Sequence, residues 1–236
     1  MRQALSSTVE GYDLLAPKFD HTPFRTPDPI VAATLAEVGL VDRALDLCCG
    51  TGAGLRALRP LCRERLVGVD FSPGMLAEAR AASARFSGDA PVELVQADVR
   101  TLDLGETFDL VTCFGAFGHI RPREEAAFCR TIAAHLRPGG RFVFATAERP
   151  AWWRPGALIA RGFNAVMHIR NALIRPPFVM FYLTFLLPDC LARCQEAGLE
   201  TEVRRASLPD GALGSLEQAW LDRLRIVTAV KARSAG

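Results

Sequence analysis

Short apolar runs recur along this chain and alternate with stretches whose apolar residues lie three and four positions apart. The runs predict buried strands at residues 45–49, 65–70, 92–97 and 108–113, and the alternation continues to about residue 146. The stretches between them predict helices, the first at about residues 53–61. Strands that alternate with helices predict an α/β fold with a mostly parallel sheet.

Further elements are predicted at the two ends of the chain. A helix is expected at about residues 29–38, a second at about 188–197, and two strands at 199–205 and 224–231. With 236 residues, 50% of them hydrophobic, the chain can bury a full core as one domain over 1–236. We expect an N-terminal helical cap over 1–40, a cofactor-binding core over 41–148, a helical lid insertion over 149–187, and a closing helix and strands over 188–236.

The first predicted strand of the core runs directly into a turn that contains Gly50, Gly52 and Gly54. Glycine allows the left-handed dihedral angles of a sharp strand-to-helix turn, and it leaves the backbone open to a bound molecule. The helix that follows would direct its positive N-terminal end at that molecule. Tight turns also use glycine without any ligand, so the turn indicates a nucleoside site only together with its surroundings.

Acidic residues stand near the carboxyl ends of three successive predicted strands, at Asp46, Asp70 and Asp98. Asp70 follows Gly50 by twenty residues, which is the spacing expected for a carboxylate that binds ribose hydroxyls. Such an arrangement suits either a dinucleotide or an adenosyl compound. The dinucleotide pattern would need glycine where the chain has Leu55, and this favours the adenosyl compound.

Five segments then resemble one family in their order and their motifs. They are LDLCCGTGAG at 45–54, VGVDFSPGML at 67–76, QAD at 96–98, FDLVTC at 108–113 and LRPGGRF at 136–142. Over about residues 40–147 the chain resembles the class I S-adenosylmethionine-dependent methyltransferases of the small-molecule type. The resemblance implies a Rossmann-like, doubly wound sheet, mostly parallel with an antiparallel last strand. Cys48 departs from the pattern, since the family commonly has glycine there, but its side chain is small.

The resemblance also implies S-adenosylmethionine as the cofactor and S-adenosylhomocysteine as its product. Asp46 and the turn glycines would hold the methionine part, Asp70 the ribose hydroxyls, and Asp98 the adenine amino group. Phe71 and Met75 would flank the adenine ring, with ordinary core packing as the alternative for both. The predicted cofactor site consists of Asp46, Cys48, Gly50, Gly52, Asp70, Phe71, Met75, Asp98, Val99 and Phe114.

An oxygen or nitrogen acceptor that begins protonated needs a general base. His119 follows the fourth strand, where many small-molecule members of the family carry histidine, and packing or helix capping is the alternative for it. His168 is the second candidate base. Contacts to the acceptor are predicted for Tyr12, Phe117, Asn164 and Asn171. Nothing in the sequence calls for a metal.

The predicted lid contains five arginines and no acidic residue between positions 149 and 187. A polar stripe of Arg161, Asn164, His168, Asn171 and Arg175 would lie opposite an apolar face of Leu158, Ile159, Phe163, Val166, Ile169 and Leu173. The stripe would be a solvated surface, or it would turn its amides and imidazole inward to bind the acceptor. A third interpretation is contact with a membrane surface or a lipid-like acceptor, which Trp152, Trp153 and the arginines favour.

Charge and cysteine content narrow the class of protein further. A net charge of +2 gives no general attraction to nucleic acid, and seven cysteines without a Cys-x-x-Cys pair favour a reduced, cytoplasmic protein. No apolar run is long enough to predict a transmembrane segment. We therefore predict a methyltransferase that moves a methyl group to an O, N or C atom of a small organic acceptor. The alternatives are an NAD-type oxidoreductase and a non-catalytic S-adenosylmethionine-binding or lipid-associated protein.

Overall fold

The computed structural model describes residues 7–208 and 223–233. Within them, the strands are β1 Val41–Leu47, β2 Cys62–Asp70, β3 Val92–Gln96, β4 Phe108–Cys113, β5 Leu136–Ala147, β6 Leu199–Arg205 and β7 Leu224–Lys231. They form one sheet in the order β3-β2-β1-β4-β5-β7-β6. The first five strands are parallel, and β7 runs antiparallel to both of its neighbours. The predicted fold class, with its antiparallel last strand, is confirmed.

Helices cover both faces of this sheet. In the described chain they are α1 Thr8–Leu15, α2 Asp28–Leu35, α3 Ala53–Leu58, α4 Pro73–Ser83, α5 Glu125–Ala134, α6 Pro155–Leu173 and α7 Asp189–Glu196. The first core helix is shorter than expected, because Pro60 has no backbone N–H to continue it. The chain passes instead through a 3-10 turn at Arg59–Leu61 before it enters β2.

The core consists of two apolar clusters on opposite faces of the sheet. Leu45 and Leu47 of β1 pack in one cluster with Phe128 of α5. Ala44, their neighbour along the same strand, packs in the other cluster with Leu55 of α3. Successive strand residues point to opposite faces, so a strand buried on both faces is apolar almost throughout. This burial explains why the inner strands are rich in apolar residues, which made them recognisable in the sequence.

Two acidic side chains fasten the N-terminal segment to the carboxyl edge of the sheet. Asp13 of α1 accepts hydrogen bonds from Ser72 Oγ at 2.5 Å and from the Gly74 N–H at 3.0 Å, at the start of α4. Asp20 accepts one from Thr51 Oγ1 at 2.6 Å, in the turn after β1. The N-terminal segment therefore lies over the ends of β1 and β2.

The predicted division into cap, core, lid and closing elements stays a prediction. Its first and last parts include residues 1–6, 209–222 and 234–236, which lie outside the described residues. Among the helices that the structure describes, none combines the length and the apolar character needed to cross a membrane.

Candidate functional site

The turn after β1 is bent by residues with left-handed backbone angles. The φ angles of Cys48, Gly50 and Gly52 are 53°, 53° and 93°. Asp70, at the end of β2, ties this turn to the next loop, because its Oδ2 accepts from the Gly50 N–H and its Oδ1 from the Ser72 N–H, both at 2.9 Å. Burial of the carboxyl group raises the pKa of Asp70. The turn and this carboxylate therefore form one compact unit at the edge of the sheet.

The glycines of the turn are required for two different reasons. A Cβ on Gly52 would lie 3.1 Å from the Phe86 ring, inside the protein. The expectation that a side chain there would stand over a ligand is therefore wrong, and the positive φ and the packing explain this glycine. A Cβ on Gly54 would overlap the Asp46 carboxylate and lie 2.8 Å from the Phe114 ring. Gly54 thus leaves room for the carboxylate of Asp46.

Asp46 is a carboxyl group buried within β1, with 1% of its surface exposed. Its Oδ1 accepts a hydrogen bond from Thr112 Oγ1 at 2.7 Å. Burial raises the pKa of Asp46 to about 7, the charge of Asp70 adds to this increase, and the bond from Thr112 opposes it. The carboxyl group is therefore poised to ionise near neutral pH when a cation approaches it.

An open cavity of about 720 Å³ lies at this edge of the sheet. The predicted site residues that line it are Tyr12, Asp46, Cys48, Gly50, Asp70, Phe71, Met75, Phe114 and His119. Gly52 does not line it, because it faces Phe86. Most of the predicted cofactor site is thus brought together around one cavity.

Asp98 and Val99 lie in an adjoining cavity of about 520 Å³, which shares Cys48, Asp70, Phe71 and His119 with the first. The Asp98 carboxylate accepts from the backbone N–H and the guanidinium of Arg100, at 2.5 to 3.0 Å. These bonds lower the pKa of Asp98. Asp98 is therefore ionised and held by Arg100 beside the main cavity.

Tyr12 of α1 contacts His119, a residue that lines both cavities. Tyr12 Oη lies 2.7 Å from His119 Nε2, and His119 Nδ1 lies 2.5 Å from the carbonyl oxygen of Val179. A carbonyl oxygen can only accept, so Nδ1 carries the proton and Nε2 accepts from the Tyr12 hydroxyl. Burial lowers the pKa of His119 and raises that of Tyr12. Both groups are therefore neutral at physiological pH.

The other predicted acceptor residues lie elsewhere. Phe117 is buried in the core, with its ring 4.6 Å from that of Phe185. Asn164 and Asn171 of α6 face residues 176–182, which we call the roof segment. Each amide exchanges two hydrogen bonds with the backbone of that segment, at 2.8 to 3.0 Å. His168 stacks on the roof residue Phe181 at 4.6 Å.

The polar stripe of α6 is divided, because Arg161, His168 and Arg175 are exposed whereas Asn164 and Asn171 bind the roof segment. Its amides point inward, as one of the three interpretations required, but they bind backbone and do not line either cavity around His119. Through Val179, the roof segment that they hold supports the His119 ring. These two asparagines act on the site through the roof segment.

Several residues of the site could not be anticipated from the sequence. Phe19, Phe24 and Arg25 of the N-terminal segment line the main cavity, and Asp13 and Asp20 fasten that segment in place. Each contact joins residues that are far apart in the chain. Such pairs leave no periodic pattern, and the only signal was the presence of aromatic and acidic residues in the predicted cap.

Comparison with known proteins identifies the core of this fold. Residues 44–140 match a family model described as a methyltransferase domain. A ubiquinone biosynthesis O-methyltransferase from Methylobacterium sp. (strain 4-46) is 31% identical over 176 residues, covering 73% of this chain and 61% of the relative. A carboxy-S-adenosyl-L-methionine synthase from Erwinia tasmaniensis is 34% identical over 101 residues, covering 42% and 41% respectively. The chain spans less than half the length of the first curated relatives that it matches.

Among solved structures, an S-adenosylmethionine-dependent methyltransferase from Mesorhizobium loti is 26% identical, with a TM-score of 0.60. The alignment covers 86% of this chain and 96% of that one. These similarities favour the methyltransferase interpretation over an NAD-type oxidoreductase, in agreement with the buried Leu55 that replaces the third dinucleotide glycine. Residues 44–140 therefore form a methyltransferase domain, within a fold that is similar to that of S-adenosylmethionine-dependent methyltransferases.

Proposed function

We propose that this chain transfers a methyl group from S-adenosylmethionine to an oxygen or nitrogen atom of a small organic acceptor. The observation that carries the proposal is the hydrogen bond between Tyr12 and His119 at the wall of the cavity that Asp46 and Asp70 also line. A neutral histidine whose Nε2 accepts a hydrogen bond from a hydroxyl is suited to receive a proton. Its position beside two buried carboxylates supports a site for both donor and acceptor.

The residues of the main cavity fit S-adenosylmethionine. Asp46, whose carboxylate occupies the room that Gly54 leaves, would pair with the ammonium group of the methionine part. Asp70 would accept from the ribose hydroxyls, since each of its oxygens takes one backbone N–H and retains a further lone pair. Phe71 and Met75 offer an aromatic face and a thioether to the adenine ring. When bound, the cofactor supplies a methyl group that is activated by a sulfonium.

The Tyr12 and His119 pair would remove the proton of the acceptor. The acceptor O–H or N–H donates to Tyr12 Oη, and the phenolic proton passes along the 2.7 Å bond to His119 Nε2. Without its proton, the acceptor atom would be able to take the methyl group that a bound cofactor would supply. His119 ends as an imidazolium whose Nδ1 proton is held by the Val179 carbonyl.

Aromatic side chains would exclude water from this reaction. The Tyr12 ring lies 6.1 Å from Phe19 and 6.2 Å from Phe71, and it stacks on Phe178 of the roof segment at 6.4 Å. Ordering the two reactants between these rings lowers the barrier by proximity, which is much of what methyl transfer from an activated donor requires. The acceptor we propose is therefore small and partly apolar, such as a phenol or an amine, rather than a nucleic acid.

We also propose that the chain works in the cytoplasm. All seven cysteines are free thiols. Cys48 is partly buried, Cys49 lines the main cavity, and the other five are buried in the apolar interior. A hydrogen bond with Cys113, together with burial, keeps the pKa of Cys48 well above its usual value, so its thiol stays neutral beside the proposed cofactor site. Unpaired buried thiols are typical of proteins in a reducing compartment.

The proposal is tested by separating cofactor binding from turnover. S-adenosylhomocysteine binding is measured by calorimetry, and transfer of tritium-labelled methyl is measured with a panel of phenols, catechols and primary amines. We expect Tyr12→Phe and His119→Gln to keep the affinity for S-adenosylhomocysteine and to lower the transfer rate by about 100-fold or more. His21→Gln, on an exposed histidine of the N-terminal segment, is the matched control and should leave the rate unchanged.

The pH profile gives a second readout. Because burial lowers the pKa of His119, the base stays neutral as the pH falls to its usual value of about 6.5. At saturating S-adenosylmethionine, the acid limb of kcat/KM for the acceptor should therefore lie below pH 6.5 and disappear in His119→Gln. Unchanged transfer in both variants would refute the proton path. Tight binding of S-adenosylhomocysteine with no transfer to any acceptor would favour the non-catalytic alternative.

A further inference from the structure

The outward face of α6 is apolar and exposed in the part of the chain that the structure describes. Its apolar positions recur at alternating steps of three and four residues from Ile159 through Gly162, Val166 and Ile169 to Leu173. The side chains of this face are between 59 and 79% exposed, apart from the glycine. Periodic apolar faces are normally buried against the protein, so a face of this length in solvent indicates a binding surface.

The inward face explains why the apolar side chains point outward. Asn164 and Asn171 are tied to the roof segment by hydrogen bonds, and Ala157 and Ala160 are the buried residues of the helix. The small and amide side chains therefore hold the helix in one rotation about its axis. The apolar face cannot turn inward without breaking the bonds to the roof segment.

Cationic side chains surround the exposed face without any acid in the same segment. Arg154, Arg161 and Arg175 are exposed and form no ion pair with other residues that the structure describes. Helical geometry places Arg161 beside Leu158, on the flank of the apolar face. Between positions 149 and 187 the sequence has five arginines and no aspartate or glutamate. The surface therefore complements a partner that is both apolar and negatively charged.

Two tryptophans stand just before the start of this helix. Trp152 and Trp153 are 63 and 64% exposed, and their rings meet edge to face at 5.8 Å. Tryptophan prefers the headgroup region of a bilayer, because its ring is apolar and its indole N–H is polar. A tryptophan pair, an apolar stripe and flanking arginines are the features of a helix that lies in the plane of a membrane surface.

We infer that the outward face of α6, together with Trp152 and Trp153, docks on the surface of an anionic phospholipid bilayer. A second copy of the chain is a less suitable occupant. A two-fold dimer would place the same face against itself and bring the unpaired arginines of the two copies together. An anionic bilayer instead supplies apolar chains for the leucine and isoleucine side chains and phosphates for the arginines.

The experiment measures binding of the full chain to vesicles of phosphatidylcholine, with and without 30% phosphatidylglycerol. Wild type should sediment with the anionic vesicles, bind neutral vesicles about tenfold more weakly, and be released by 0.5 M NaCl, which screens the arginines. Ile159→Gln combined with Leu173→Gln should weaken anionic binding by about tenfold or more. Leu40→Gln combined with Val203→Gln, at exposed positions elsewhere, should bind as wild type does.

Two further measurements make the outcome decisive. Lipids with brominated acyl chains should quench tryptophan fluorescence in wild type, and Trp152→Phe combined with Trp153→Phe should remove that quenching. Circular dichroism confirms that the substituted chains are folded. The inference is overturned if wild type does not bind the anionic vesicles, or if both glutamine pairs bind equally well. It is also overturned if the face instead drives a dimer in sedimentation that Ile159→Gln combined with Leu173→Gln dissociates.

Discussion

The affinity for S-adenosylhomocysteine should depend on pH through Asp46. In the free protein the pKa of Asp46 is about 7, because the carboxyl group is buried. An ammonium group beside it favours the ionised form, so the bound state has a lower pKa and binding releases a proton. The apparent dissociation constant then scales with one plus the ratio of protonated to ionised Asp46. This predicts a loss of affinity of about 16-fold between pH 7 and pH 5.5.

Calorimetry in two buffers of different ionisation enthalpy checks this prediction. The number of protons released should be about one half per ligand at pH 7 and about one at pH 5.5. Over this range the amino group of the ligand stays protonated, since α-amino groups titrate at about 7.7 to 8.0. Asp70, whose pKa is also raised by burial, would add a change of the same sign. Comparison of wild type with Asp46→Asn isolates the contribution of Asp46 to the pH dependence, because the substitution removes only the Asp46 titration.

Thr112→Val sharpens the same test. The hydrogen bond from Thr112 lowers the pKa of Asp46. Without this bond the pKa should rise, so the affinity for S-adenosylhomocysteine should begin to fall at a higher pH. Valine has nearly the same shape, and the effect on packing should be small. A wild-type affinity that is flat from pH 7 to pH 5.5, without proton release, would refute the pairing of Asp46 with the ammonium group. A profile unchanged in Asp46→Asn would do so as well.

Three other substitutions test the supports of the site. Gly54→Ala should lower the free energy of unfolding, measured in urea, by about 1 to 3 kcal/mol, because the new Cβ would overlap Asp46. The control is Gly162→Ala, whose Cβ would meet no atom within 4 Å, and it should raise the free energy of unfolding by about 0.5 to 1 kcal/mol. Asp13→Ala should release α1 from α4 and speed proteolysis of the N-terminal segment; an unchanged cleavage rate would contradict the anchoring role. Asn171→Ala should lower methyl transfer about tenfold at constant affinity for S-adenosylhomocysteine; equal losses in both would indicate that the roof segment holds the cofactor instead.

The parallel core was predictable because its chemistry is local. A strand buried on both faces is mostly apolar, so residues 66–69 of β2 stand out in the sequence as an apolar run. The carboxyl ends of parallel strands meet at one edge, which is why Asp46 and Asp70 could be expected near each other before any coordinates were considered. The antiparallel last strand came from the family resemblance, and β7 confirms it.

The supports of the site were less accessible to sequence reasoning. Gly54 does not complete a dinucleotide motif. Glycine is needed at this position because a Cβ would overlap the Asp46 carboxylate across the turn. Asp13 and Asp20 bind residues more than 30 positions away. The protonation of His119 is set by the carbonyl of Val179, 60 positions further along the chain. Each of these is a single contact between distant residues, and no periodicity in the sequence encodes such a contact.

The rotation of α6 shows where a periodic pattern is insufficient in itself. The sequence predicts an amphipathic helix correctly, but amphipathicity does not say which face is turned inward. The roof segment has no strand to pair with, and the N–H and C=O groups of Phe178 and Tyr182 bind side chains instead. The only two asparagines of the chain, Asn164 and Asn171, provide them, because an amide can donate and accept at once as a peptide group does. The demand for backbone hydrogen bonds thus outweighs the burial of Ile159 and Leu173. It leaves on the surface an apolar face whose burial would contribute about 1.5 to 3 kcal/mol per large side chain, and a bilayer surface can recover that contribution.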